Sequence, residues 1–267
     1  MDENKKVLLP LSRLLPGARR RKITPHFDYP AASVGKTANF QVWYATALRQ
    51  PGFDIATAVL ARVEKDYQTL AQYFGLQTSG FNIIIAPLSQ SSDGSGGAYH
   101  HSCISADLYC DAQIYPVVNP TFTNAFVVAE EAEVFMAAQN QGWDCGASNG
   151  EGLSRVLAEA LYPGVLNGYE TASVWLDGQR PDYITQTDPT DQNAESTGCA
   201  VLFLNWLHSQ LNYSWAQICQ AAAPTLDQVY TNLNGKTDAL DAFTTFLEIH
   251  FPSGQPSNLN TDNPFPL

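Results

Sequence analysis

Four carboxylates and one guanidinium carry most of the chemistry this sequence could do. Glu130, Glu131 and Glu133 lie in NAFVVAEEAEVFMAAQ, and Glu151 and Arg155 lie in SNGEGLSRVLAEALYP. In the first segment Phe126, Val127, Val128, Ala129, Ala132, Val134, Phe135 and Met136 wrap almost all round a helical wheel. A helix apolar on most faces is buried. Burying a carboxylate costs several kcal/mol unless it is paired, hydrogen-bonded or metal-bound. Glu130 and Glu133 stand at i and i+3, so their side chains project together. In the second segment Leu153, Val156, Leu157, Ala160 and Leu161 form one face, and Glu151, Ser154, Arg155 and Ala158 share another. Ser148 or Asn149 is placed to cap that helix, which puts Glu151 in the first turn, where the dipole favours a carboxylate.

Three readings of these acids stay open on residue types alone. Arg155 could neutralise the carboxylates as a buried ion-pair network joining two helices. Glu133 and Glu151 could hold a divalent cation of the harder kind, such as Ca²⁺, Mg²⁺ or Mn²⁺. Glu130 and Glu133 could split their proton affinities and act as a metal-free acid and base.

The pair of helices resembles the zincin metallopeptidases, specifically the thermolysin-like gluzincins. In that family one helix carries HExxH, and a helix about twenty residues on carries a Glu in an NExxSD-like motif. Ala129-Glu130-Glu131-Ala132-Glu133 stands where HExxH would stand, and NGEGLSR, from Asn149 to Arg155, stands where the second motif would. A strand–helix–strand beginning, the GGAYH segment and a later STGCAVLFLNWL helix also resemble pieces of zincin domains. The resemblance covers roughly residues 39–250 and is strongest over 121–161. It implies that Glu130 keeps the general-base position and that Glu133 and Glu151 keep two ligand positions. The first His position is Ala129, which cannot bind metal, and the second is Glu133. The Asp that closes the family's second motif is Arg155 here. Without two imidazoles the zinc-bound water on which the family's mechanism depends has no holder. The resemblance therefore implies a degenerate site, a pseudopeptidase binding a peptide or protein in the former active-site cleft, with no cofactor. The alternative is an active peptidase-like hydrolase using Glu130, with a non-zinc cation at Glu133 and Glu151. Tyr99, His100 and His101 fall where the family's edge strand overhangs the cleft, which binds extended peptides by β-addition. Strand side chains alternate, so only one of the two His can face the site.

The elements that must position these groups read as an α+β domain. Strands are expected at 39–48, 81–88, 98–103 and 106–113. An amphipathic helix is expected over 54–74, capped by Asp54 and closed by Gly75. From Pro120 the chain turns helical, with helices at 121–140 (N-cap Thr121 or Thr123), 150–161, 197–211, 214–222, 225–233 and 238–250. Residues 164–195 read as irregular. The expected organisation is a basic arm over 1–30, a zincin-like domain over 31–252 with its α+β lobe ending near 142, and a Pro-rich tail over 253–267, extended or disordered.

Composition bounds the partners. The 267 residues carry 14 basic and 26 acidic side chains, a formal net charge of −12. Seven of the basic residues lie in the first 22, against Asp2 and Glu3, so the arm is basic and the remaining body is at −17. Such a body does not suit nucleic acid, whose phosphates require basic surface. No apolar run approaches the roughly 20 residues that cross a bilayer. The arm is read as docking on the acidic body by charge, or as addressing a membrane or another protein. Val7–Pro16 is broken by Pro10 and Arg13, so it does not read as a secretory signal. Few Lys with many Asn, Gln, Ser and Tyr nevertheless lean toward an exported protein. Cys103 and Cys110 are close enough in sequence to pair in an oxidising compartment, and Cys145 reads as a buried thiol or a disulfide partner. His208 could reach a cleft from its helix, whereas His26 and His250 read as structural. The oligomeric state is left open by sequence.

Overall fold

The computed structural model describes residues 25, 27, 29–78, 80–87, 98–100, 107–112, 118–167 and 169–267. The arm through Thr24, His26, the 88–97 segment, His101 and Cys103 lie outside the described residues, as do the side chains of Tyr99 and His100.

Five strands form one mixed sheet: β1 (Ala31–Lys36), β2 (Gln41–Ala45), β3 (Asn82–Ala86), β4 (Ala98–His100) and β5 (Asp107–Asp111). Their order is β1-β2-β3-β5-β4. β2, β3 and β5 run parallel, while β1 and β4 pair antiparallel at the two edges. The centre is β3, Asn-Ile-Ile-Ile-Ala, buried at every position. That is the continuous β-branched pattern expected of a parallel strand covered on both faces. Ile83 and Ile85 join the main core, to which β5 adds Leu108 and Cys110.

The long helix α1 (Arg49–Phe74) lies against this sheet and against α2 (Pro120–Gln139). It ends at Gly75, which is left-handed at φ 69° as expected. Its start differs from expectation. Asp54 looks like a cap, but the helix begins five residues earlier, with Pro51 in its first turn, where a missing N–H costs nothing. β1 also lies outside the expected strands. Its AASVGK sequence lacks bulky residues, and its register shifts between Ser33 and Gly35.

The helical half follows: α3 (Ser148–Leu161), α4 (Ala172–Leu176), α5 (Ala194–Ser209), α6 (Trp215–Gln220), α7 (Leu226–Asn234) and α8 (Ala239–His250). α4 interrupts the stretch read as irregular. α5 is buried from Ser196 to Leu207 and forms the hub on which α3 and α4 pack. Phe203 meets Phe243 of α8 edge-on and Trp206 meets it at a tilt, so these aromatics serve the core. The tail from Pro252 forms no helix or strand, yet it is held against the helices. Phe265 is buried, with its ring 5.8 Å from Phe246. The protein is thus α+β, and no helix among the described residues is long and apolar enough to cross a membrane.

The cysteines correct one expectation. The pairing expected of Cys103 with Cys110 is not formed: Cys110 is a buried thiol of β5 within the core. Cys145 is disulfide-bonded.

Candidate functional site

α2 starts at Pro120 behind Asn119, whose side chain accepts from the Phe122 N–H at 3.3 Å. Asn119, rather than Thr121 or Thr123, is therefore the cap, and Pro120 takes the N1 position it favours. The helix ends at Asn140, which is left-handed at φ 51°. Its two acid-bearing faces are distinct. Phe135, one turn beyond Glu131, stacks on Phe74 and meets Tyr67 of α1. Glu131 thus faces the core between α1 and α2 and is fully buried. Neither of its carboxylate oxygens has a hydrogen-bond partner among the described residues. Burial, then the charges of Asp66 and Glu64, push its carboxyl well above the usual range. Ala129, Glu130 and Glu133 face the other way, toward α3.

α3 begins at Ser148, itself one of the expected caps and two residues ahead of the expected start, with Ala147 in the capping position. Ser148 and Asn149 are spent elsewhere. The Ser148 hydroxyl accepts from the Asp188 N–H at 3.1 Å. The Asn149 amide donates to the carbonyls of Gly142 and Pro224, both at 3.1 Å, and its oxygen accepts from the Gly150 N–H at 2.8 Å. These bonds tie the first turn of α3 to two neighbouring loops and so fix where Glu151 stands. Gly152 packs against Ala200 of α5.

The result is one cleft with about 180 Å³ of space for solvent. α2 contributes Phe126, Ala129, Glu130 and Glu133, and α3 contributes Glu151, Ser154 and Arg155. Leu166 and Tyr169 from the loop after α3, and Ala98 from β4, complete the walls. Tyr169 stands beside Phe122 and Phe126, with centroids 5.5 and 6.0 Å away, making an apolar corner. The structure therefore brings together Ala129, Glu130, Glu133, Glu151 and Arg155. Of the β4 candidates, Tyr99 and His100 are described only as backbone. His208 lies outside the cleft. Its ring stacks on Trp215 at 4.2 Å, and its Nδ1 sits 2.7 Å from the Tyr213 carbonyl.

Arg155 meets Glu151 at 3.5 Å, within its own helix. Its second acidic partner is Asp262, 3.6 Å away, from the C-terminal tail. It also donates to the Tyr169 carbonyl. The guanidinium is therefore not reserved for the helix pair, as sequence suggests, but is divided between the cleft and the tail. Burial pushes the Glu151 carboxyl up, Arg155 pulls it down, and Asp191 pushes it up again, leaving it above the usual value. No local sign in the sequence points to Asp262, Leu166 or Tyr169.

The donor set does not fit the zinc that the resemblance would imply. Zinc in that setting takes two imidazoles and a carboxylate, and the cleft wall offers a methyl group at Ala129 and carboxylates at Glu133 and Glu151. Among the described residues no three His, Cys, Asp or Glu side chains are grouped to hold a metal. The cation in direct contact with Glu151 is the Arg155 guanidinium. The chain matches no protein-family model and no curated protein sequence.

Proposed function

We propose that this protein is a catalytically degenerate, zincin-like metallopeptidase relative that binds a peptide or protein segment in the cleft between α2 and α3. One observation carries the reading. Ala129, Glu130, Glu133 and Glu151, the four motif positions, line a single cleft bordered by the antiparallel edge strand β4. An extended peptide laid along such an edge gains main-chain hydrogen bonds, and the adjacent cleft can read one of its side chains. Hydrolysis is not proposed, because a methyl group at Ala129 cannot help hold the metal that would activate water. The cleft wall carries three carboxylates and one guanidinium, which can meet polar groups of a bound segment. Phe126, Leu166 and Tyr169 offer apolar surface beside them. The disulfide at Cys145 supports export into an oxidising compartment as part of this proposal.

Selection from a displayed random-peptide library tests the reading. Enriched peptides are expected to bind with affinities of about 1 to 100 μM and to bind an Ala129→Trp protein at least about tenfold more weakly, since the indole fills the cleft. Absence of enrichment, or equal binding to the Trp protein, sinks the proposal. So does stoichiometric zinc in the purified protein together with cleavage of the selected peptides.

A further inference from the structure

The C-terminal tail reaches the cleft wall through Asp262. One carboxylate oxygen of Asp262 accepts the backbone N–H groups of Thr171 and Ala172, at 2.6 and 2.7 Å. The other oxygen faces the Arg155 guanidinium at 3.6 Å. The backbone carbonyl of Asp262 accepts from the side-chain amide of Asn205, a buried residue of α5, at 3.0 Å. Asp262 is thus fastened through its side chain and its backbone to rigid parts of the fold.

The tail on either side of Asp262 is fastened too. Upstream, Arg180 donates to the Phe251 carbonyl at 2.8 Å and to Glu248 at 3.0 Å. The Ser257 N–H donates to Asp177 at 2.7 Å. Downstream, Phe265 is buried. Arg155 is the looser member of the pair. Its long side chain carries about 2 kcal/mol of rotamer entropy and can turn away from Glu151 unless something holds it. Among the described residues, α3 supplies only Glu151 to hold it, and the remaining polar contacts come from the Tyr169 carbonyl and from the tail.

We propose that Asp262 is a positioning residue of the cleft, holding the Arg155 guanidinium against Glu151, so that the tail is a working part of the site. What the held guanidinium serves rests on the peptide-binding reading, but its positioning is measurable without any ligand. Two roles must be separated. Capping the start of α4 needs only an acceptor oxygen, whereas holding Arg155 needs the negative charge. Asp262→Asn keeps the first and removes the second.

The experiment is ¹⁵N relaxation of the Arg155 Nε–Hε group in the full chain, assigned by its loss in Arg155→Lys. In the wild type the order parameter is expected above about 0.8, and in Asp262→Asn it is expected to fall below about 0.6. Backbone spectra and Tm should stay close to wild type. A mobile Arg155 in the wild type overturns the proposal, and so does an Arg155 that stays rigid in the folded Asn variant. Should that variant not fold, Asp262→Ser, which also removes the charge, is measured and read in its place. If the peptide selection fails while Arg155 responds as expected, the peptide-binding reading falls and the positioning role stands. If peptides bind but Arg155 does not respond, the reverse holds.

Discussion

Replacing Glu131 with Leu is expected to stabilise the protein at pH 7, and to do so by more than at pH 4. The wild-type carboxyl is fully buried on the α1-facing side of α2, and neither of its oxygens has a hydrogen-bond partner among the described residues. An unsatisfied buried polar group costs about 1–3 kcal/mol, and a charge there costs more. Its surroundings do not help it ionise. Asp66 is itself buried, accepts the Tyr162 hydroxyl and pairs with Arg62 at 3.3 Å, so that guanidinium is already committed. The folded-state carboxyl of Glu131 titrates above the unfolded value of 4.5. By linkage, its contribution is intact below about pH 4.5 and is lost as pH rises through the folded value, because the unfolded chain releases the proton first. Asp66, also raised chiefly by burial, adds to the loss in the same direction. Urea unfolding at both pH values checks this. The Leu variant should gain about 1–3 kcal/mol at pH 7, and its stability should decline less between pH 4 and 7. Equal destabilisation at both values would mean that Glu131 has a partner the geometry does not show.

The local parts of the site are legible in the sequence. The near-continuous apolar wrap of 124–139 marks a buried helix, and that makes Glu130, Glu131 and Glu133 conspicuous. Spacing alone places Glu130 with Glu133, and Glu151 with Arg155. At i and i+2 Glu131 and Glu133 must separate, but periodicity does not reveal which enters the core and which the cleft, because an all-round apolar helix gives no preferred face. The parts that sequence misses are long-range. Asp262 sits in a Pro-rich tail whose composition says extended chain and nothing about where it docks. Tyr169 and Leu166 come from a loop without periodicity. Asn149 looks like a cap because Asn favours that place, but its side chain is drawn off to the Gly142 and Pro224 carbonyls. Tertiary demand overrides local preference there, just as a permissive Pro51 moves the start of α1 five residues ahead of a plausible Asp54 cap.

The same long-range packing makes the NGEG segment the least tolerant part of the site, and Gly150→Ala is expected to cost about 3 kcal/mol or more. A Cβ at Gly150 would stand 2.1 Å from the Asp144 carbonyl oxygen and 2.5 Å from its carbon. Both are backbone atoms, and the neighbouring Cys145 is disulfide-bonded, so the segment has little freedom to retreat. The first turn of α3 must then lift, and it carries Glu151 on one side and the Asn149 hydrogen bonds on the other. Overpacking alone costs roughly 1–3 kcal/mol, and losing buried hydrogen bonds adds to it. At about 2–4 °C per kcal/mol for a domain of this size, Tm should fall by roughly 6 °C or more. Gly146→Ala is the matched control. Its Cβ would meet only the Asp144 side chain, at an ordinary 3.6 Å, so its Tm should move by no more than about a degree or two. A Gly150→Ala protein that melts like the Gly146→Ala control would show that α3 is not clamped at its first turn. Glu151 would then be held chiefly from Arg155 and the tail.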